Sequence, residues 1–377
     1  MYQDSAVKQA GKPRILVAPL DWGLGHATRC IPLIYEMLRQ NADVWLAAEG
    51  AQESLLKQEF PSLPFLKLRG YRIKYGRTAA GLIRAVFFQL PKLQRAIKTE
   101  NEWLREVVDQ YQVDAVISDN RFGLYHSRVP SAFITHQLAI KTPFGPWIDR
   151  LIQKRNSSFI NRFNECWVPD LEGTYGLAGE LSHPALFPKA PVYYLGPLSR
   201  LKKNNISQLK KHLFISLSGP EPQRTLLENK IVDALGHYHG TATIVRGLPG
   251  EASLIPSTND IRFFNHLPTD DFNKEMEKAE FMISRSGYST IMDIAKLGKK
   301  AIVIPTPGQT EQEYLAEYLM TKKFAFSVKQ HHFQLEKMLQ QADAFDYKIP
   351  LNTEETKLSS VVSSFLEKVR KKNISMA

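Results

Sequence analysis

The sequence predicts an α/β protein built from two Rossmann-like domains that face a cleft. Three observations carry this. Short apolar runs alternate with helical patterns, as in parallel sheets covered by helices. The alternation lapses at Leu201–Lys211 (LKKNNISQLKK), which is polar, basic and poor in core residues, and then restarts. A chain of 377 residues is also too long for one small core. The expected layout is a first domain over 1–200, a linker over 201–211 and a second domain over 212–377. Ligands in such folds sit at the carboxyl ends of the strands.

In chain order, Arg14–Pro19 (RILVAP) reads as the first strand, followed by a loop over Leu20–Gly25 and a helix from His26 to about Gln40. Strands follow at Asp43–Ala48 (DVWLAA) and Phe65–Arg69. A long helix is expected from roughly Gly76 to Gln110, interrupted or kinked near Pro91, whose ring removes a backbone donor. Asp114–Ser118, Ser131–Thr135 and Glu165–Val168 read as further strands. After the linker, strands are expected at His212–Leu217, Thr241–Val245, Ile261–Phe264, Glu280–Ser284 and Ala301–Pro305. Helices are expected at Glu221–Leu235, Ser289–Leu297 and Thr310–Met320, with a last one from about Thr356 to Lys371.

A hydrophobic share of 43% and a charged share of 23% are those of a soluble globular protein. No run of eighteen apolar residues is present, which argues against a membrane-spanning helix. Met1–Lys12 is polar, so no secretory signal is expected. Cys30 and Cys166 lie in apolar surroundings and read as buried free thiols of a cytoplasmic protein.

The net charge of +11 calls for an anionic partner: nucleic acid, membrane surface or phosphorylated small molecule. Between Arg69 and Thr99 stand Arg69, Arg72, Lys74, Arg77, Arg84, Lys92, Arg95 and Lys98, with no acid, beside apolar residues such as Phe87 and Phe88. Two readings stay open: a patch for an anionic membrane, or a helix buried on its own domain with solvated cations. No recognition helix, zinc spacing or aromatic-basic sheet motif appears, so nucleic acid is not an expected partner.

Four strand-to-helix turns carry candidate chemistry. In Trp22–Arg29, Gly23 and Gly25 let the backbone turn tightly, and His26 falls at a helix start. The helix dipole there lowers an imidazole's pKa and suits it to act as a neutral base, although taken alone the motif is more simply read as a histidine capping the backbone. In Ser284–Thr290, backbone N–H groups aided by Ser286, Ser289 and Thr290 form an anion site, or simply an N-cap. Asp293 near the same end suits a ribose diol or the helix's first turn. The turn Pro305–Glu313 presents Gln312 and Glu313, and Ser218–Arg224 presents Ser218 and Gly219.

At these residues Ser284–Ala316 resembles the donor-binding segment of glycosyltransferases with the GT-B fold, above all the UDP-N-acetylglucosamine transferases of lipid-linked peptidoglycan precursor synthesis. Trp22–Thr28 resembles that family's Gly-x-Gly-His loop, Thr135-His136-Gln137 its histidine-glutamine turn, and Tyr194–Arg200 the close of its first domain. The resemblance implies an inverting transferase that moves a hexose or N-acetylhexosamine from a UDP-sugar to an acceptor hydroxyl, lipid-linked or membrane-borne. It implies the UDP-sugar as co-substrate and neither cofactor nor metal; the free thiols and the basic stretch add the expectation of a cytoplasmic protein peripheral at the inner face of the plasma membrane.

By the same resemblance, His26 is the base, and Gly23 and Gly25 admit the diphosphate and acceptor. Ser286, Gly287, Ser289 and Thr290 hold the diphosphate, with Arg285, Ser218 and Gly219 beside it. Asp293 binds the ribose, Gln312 and Glu313 contact the sugar or ribose, and Phe264 and Leu267 border the base. Asp119, His136 and Gln137 stand on the acceptor side. The chain departs from the family in carrying Asp293 for a glutamate, Glu313 for a glutamine and Ala316 for an asparagine. Alternatives on the same fold are a UDP-sugar epimerase or hydrolase, in which Asp21 and Asp119 supply carboxylates, and a non-catalytic nucleotide-sugar binder.

Overall fold

A computed structural model describes the backbone of residues 12–71, 79–173, 176–349 and 357–376, and their side chains except those of 79–90 and 375–376. Contacts divide the chain into two units, one of residues 1–73, 88–198 and 354–377, the other of 74–87 and 199–353.

The first unit holds seven strands: β1 (Arg14–Pro19), β2 (Asp43–Ala48), β3 (Phe65–Lys67), β4 (Ala115–Asp119), β5 (Ser131–Ile134), β6 (Glu165–Val168) and β7 (Val192–Tyr194). They form one parallel sheet in the order β3-β2-β1-β4-β5-β6-β7. The central strands β1 and β4 are buried along their whole length, which is why they read as unbroken apolar runs. The helices are α1 (Leu24–Arg39), α2 (Gly50–Glu59), α3 (Ala79–Tyr111) and α4 (Pro146–Ile160). Ala27, Cys30, Ile31, Ile34 and Met37 recur at helical spacing and form the buried stripe of α1. α3 continues through Pro91 without the expected interruption.

The second unit holds β8 (His212–Ser216), β9 (Thr241–Val245), β10 (Ile261–Phe264), β11 (Phe281–Ser284), β12 (Ala301–Val303) and β13 (Phe326–Ser327). Its parallel sheet runs β10-β9-β8-β11-β12-β13. Its helices are α5 (Gln223–Leu235), α6 (Thr269–Lys278), α7 (Tyr288–Leu297), α8 (Thr310–Thr321) and α9 (Leu335–Asp343). The core lies between sheet and helices, with Leu213, Ile215, Ile244, Ile283 and Ile302 from the strands against Leu227, Ile231 and Met338.

Two expectations about layout change. The segment read as a linker is held on α6: Asn273 Oδ1 accepts the Lys202 N–H at 3.0 Å, and Glu277 Oε1 accepts the Asn204 N–H at 2.7 Å. Its cations stay in water while its backbone is satisfied by buried side chains, and the contact division places it with the second unit. The last helix, α10 (Leu358–Met376), expected in the second domain, belongs to the first unit. Val362, Phe365, Leu366 and Val369 are buried there, and Phe365 meets Trp167 edge-on at 5.2 Å. Four such side chains contribute roughly 6–12 kcal/mol gross at ~1.5–3 kcal/mol each. Lys368 also pairs with the buried Glu165 at 2.5 Å.

Arg72, Lys74, Arg77 and Arg84, with Phe87 and Phe88, lie outside the residues whose side chains are described. Among the described residues no helix is long and apolar enough to cross a membrane.

Candidate active site

In the first unit the strand order reverses between β1 and β4, and the crevice beyond their carboxyl ends is where an open α/β sheet receives ligands. Pro19 and Asp119 end these strands in register. The chain leaves β1 through Gly23, whose φ of 77° and ψ of 161° only glycine adopts easily, and enters α1 at Leu24, two residues earlier than expected. Gly25 and His26 therefore stand in the first turn of α1 itself.

Asp119 is completely buried, so an unpaired charge there would cost several kcal/mol. Arg29, also buried, answers it with two hydrogen bonds: Nε donates to Oδ2 at 2.9 Å, and Nη2 donates to Oδ1. His26 Nδ1 lies 3.1 Å from the same Oδ2. Arg29 Nη1 reaches His136 Nδ1 at 3.3 Å, and the Cys30 thiol points at Asp119 Oδ2 at 3.7 Å. Burial opposes ionisation of Asp119, but Arg29 and His26 outweigh it and hold the carboxyl at about 2. Burial first, and Arg29 second, push the His26 imidazole below its ordinary value against the pull of Asp119. At neutral pH the ring is uncharged, as a general base requires.

His26 Nδ1 has two competing neighbours, since Arg29 Nη2 also stands 2.9 Å from it. A proton on Nδ1 is donated to Asp119 and leaves Nε2 an acceptor; a proton on Nε2 leaves Nδ1 to accept from Arg29. Asp119 and Arg29 thus favour opposite tautomers of one ring. Sequence reading named His26, and separately Asp119 and His136, without joining them, and it missed Arg29. The signal was present: a residue three positions on in a helix shares the face.

Asp21 is engaged through its side chain, and Gln137 is held through its backbone. Asp21 Oδ1 accepts the Tyr71 N–H at 3.0 Å, and a Cβ on Gly70 would fall 2.2 Å from the Asp21 carboxylate. Gln137 donates its N–H to the Thr135 hydroxyl, and its carbonyl accepts from Asn156. Beneath these loops the buried pair Arg121–Glu100 ties Pro19, Arg69 and Tyr71 together through Arg121 bonds to two carbonyls and a Tyr71 bond to Glu100.

In the second unit the order reverses between β8 and β11, where Ser216 and Ser284 are in register. The turn after β8 carries the exposed Ser218 and Gly219, whose φ is 105° and whose added Cβ would meet Thr306 Oγ1 at 3.4 Å. The turn after β11 enters α7 through Gly287 with no side-chain cap, and the first turn (Tyr288, Ser289, Thr290) contains no acid. α8 by contrast has Glu311 and Glu313 in its first turn. The N-terminal dipole charge of α7 is therefore not offset by its own acids, and this end suits an anion.

Arg285 and Ser286, placed on the donor by sequence, have side chains that brace the turn instead. Both are completely buried. Arg285 Nη2 donates to the Gln223 carbonyl at 2.7 Å, and Nη1 reaches the carbonyls of Ile304 and Pro305 at 3.2 and 3.3 Å. Burial lowers this guanidinium to about 10. Ser286 Oγ donates to the Gln312 carbonyl at 2.7 Å. Gln312 Oε1 accepts the Thr306 N–H and Glu313 Oε1 the Gly308 N–H, each at 2.9 Å, so both side chains shape the loop over 305–309. Leu267 is buried and Phe264 half-buried at the end of β10.

Asp293 stands in the second turn of α7, past the reach of an N-cap. Its Oδ1 accepts from Ser199 Oγ at 2.5 Å. Burial raises its carboxyl to about 6, with Ser199 and Arg200 pulling the other way. Ser199 lies in the Tyr194–Arg200 segment read as the close of the first domain, and that segment gave no signal for this contact.

Known proteins resemble this chain in sequence and fold. Residues 255–370 match the model of the glycosyltransferase family 28 C-terminal domain. A UDP-N-acetylglucosamine–N-acetylmuramyl-(pentapeptide) pyrophosphoryl-undecaprenol N-acetylglucosamine transferase of Histophilus somni is 36% identical over 335 residues, covering 84% of this chain and 85% of that protein. A Methanosarcina acetivorans protein described as an uncharacterized glycosyltransferase is 23% identical over 323 residues, 80% of this chain and 81% of its own length. Among solved structures, the glycotransferase of kitacinnamycin superposes with a TM-score of 0.61 at 13% identity, covering 96% of this chain and 95% of that one. The chain thus belongs to the glycosyltransferases of family 28 and carries their GT-B fold.

Proposed function

We propose that the chain is an inverting glycosyltransferase that moves a hexose or N-acetylhexosamine from a UDP-sugar to an acceptor hydroxyl. The observation that carries this reading is the neutral His26, whose Nδ1 faces a buried carboxylate 3.1 Å away. With the proton on Nδ1, Nε2 takes the acceptor's hydroxyl proton while the oxygen attacks the anomeric carbon. The bond from that carbon to the diphosphate oxygen breaks, and UDP leaves with the electron pair. The imidazolium formed is stabilised by Asp119, whose own charge Arg29 holds in place.

The amide end of α7, with Ser289 and Thr290, receives the leaving diphosphate, and Asp293 accepts from the ribose. The name of the Histophilus somni relative gives UDP-N-acetylglucosamine as donor and a pyrophosphoryl-undecaprenol compound as acceptor. A UDP-sugar and a lipid-linked acceptor are the corresponding assignments here, with the protein peripheral to the inner face of the plasma membrane. The epimerase or hydrolase reading needs carboxylates at the anomeric centre. Asp21 is wedged against Gly70, and Asp119 is bound twice by Arg29, which disfavours it.

Calorimetric titration with UDP, ADP and GDP tests the donor. Micromolar binding of UDP alone, lost in Asp293→Ala, is expected; no binding of any of the three overturns the reading.

A further inference from the structure

A pocket of about 440 Å³, lined wholly by first-unit residues, opens between the second half of α3, the loop after β4 and the end of α4. Lys98, Arg105, Arg155 and Arg162 line it, against a single acid, Glu102. Glu102 stands 3.9 Å from Lys98 with both side chains well exposed, so solvent screens the pair and it neutralises little of the pocket's charge. All four cations are exposed at the rim of the pocket, whereas the less exposed Arg14, Arg29, Arg121 and Arg246 each pair with a carboxylate. Among the described residues no carboxylate lies within ion-pair distance of Arg105, Arg155 or Arg162.

Two of these guanidiniums are held by aromatic faces. Arg155 lies 5.1 Å from the Phe159 ring centroid, and Arg162 lies 4.8 Å from Phe159 and 5.3 Å from Tyr125. Stacking fixes the plane of each fork and leaves its N–H edge to bind a ligand. Converging cations repel one another, and an anion between them removes that cost. Planar forks match phosphate oxygens two at a time. Ile97 and the aromatic rings add an apolar wall, and the volume is that of a small-molecule site, about 300–1,000 Å³.

We propose that this pocket is a second anion site, separate from the donor turn, that takes a phosphate-bearing ligand. The phosphate belongs either to a soluble phosphorylated compound or to an anionic lipid head group. The lipid source enters because Trp147 and Leu151, 74% and 58% exposed, precede Arg155 on α4 at four-residue spacing.

Arginine modification by phenylglyoxal, read residue by residue by mass spectrometry, tests this without altering the chain. Pyrophosphate is expected to protect Arg105, Arg155 and Arg162 several-fold relative to sodium chloride of equal ionic strength, with Arg39 unchanged. Protection of the same three by phosphatidylglycerol vesicles, but by neither pyrophosphate nor phosphatidylcholine vesicles, assigns the lipid source. In a protein carrying Arg155→Gln and Arg162→Gln, protection of Arg105 should fall several-fold. Unchanged reactivity with every probe, or equal protection of Arg39, overturns the proposal.

Discussion

The turn after β1 and the turn after β11 share one local design, a buried strand running through a glycine cap into a helix, at the reversal point of a parallel sheet. Their electrostatics differ. The first turn gathers His26, Arg29 and Asp119, three titratable groups within hydrogen-bond reach. The second presents a helix end without acid, hydroxyl side chains and one carboxyl raised to about 6. A proton is moved where burial and neighbouring charges set a pKa, whereas an anion is held best where backbone dipoles face it unopposed. One supersecondary unit serves both needs because the function lies in the side chains at its cap.

The largest expected effect separates the two turns outright. His26→Ala should lower the turnover of sugar transfer by about 10²–10⁴-fold, the range for a lost general base, and leave UDP affinity in calorimetry unchanged. A parallel loss of UDP affinity would break the division of labour. Arg285→Met acts on the second turn alone. It leaves the carbonyls of Gln223, Ile304 and Pro305 without their donor, so it should cost about 2–4 kcal/mol in urea unfolding and weaken UDP binding with it.

The two cap glycines sharpen the contrast. Gly23→Ala forces a side chain into a glycine-only conformation and should cost about 1–3 kcal/mol of stability. Gly287 has a φ of −74° with open space where a Cβ would go, so Gly287→Ala should leave the melting temperature unchanged. Its UDP affinity should fall, because the added methyl meets the incoming phosphate.

Asp293 links stability to binding. Its folded pKa of about 6 lies above the unfolded value near 3.9, so ionisation costs stability as pH rises from about 4 to 6, and the full cost persists above. Asp293→Asn should therefore be more stable than the natural chain by about 1–2 kcal/mol at pH 8 and equal to it near pH 4. It should also lose UDP affinity. Equal stability of the two proteins at pH 8 would show that the carboxyl is not strained by burial.

The smallest effect concerns Arg29. Activity needs neutral His26, whose pKa lies below 6.5, so the acid limb of the rate profile should fall below that value. Arg29→Gln removes a positive neighbour and leaves Asp119 to pull the proton onto the ring. The acid limb should then move to higher pH, a shift read from kcat/KM against pH.

Much of this was legible in the residues. Buried central strands such as β1, β4, β8 and β11 announce themselves because both faces are apolar. β7 and β13, two or three residues at the edges of their sheets, carry too little pattern to be seen. The Gly-x-Gly-His and Ser-Gly-Tyr-Ser-Thr turns were visible because glycine and hydroxyl side chains cluster where a strand gives way to a helix. The side-chain work of Arg285, Ser286 and Gln312 was not, since a polar residue in a motif reads the same whether it faces a ligand or a carbonyl of its own chain.

The amino-acid pattern by itself determined two parallel sheets, the turns that end their strands, and the residue types present at those turns, because periodicity and turn chemistry act over a few neighbours. Only the tertiary structure decided that Asp119 meets a histidine 93 residues away, that Arg29 competes for the same ring nitrogen, that Ser199 binds Asp293, and that the last helix returns to the first unit. Such contacts depend on strand order and on which apolar face finds a partner. Neither is written in the spacing of any one segment.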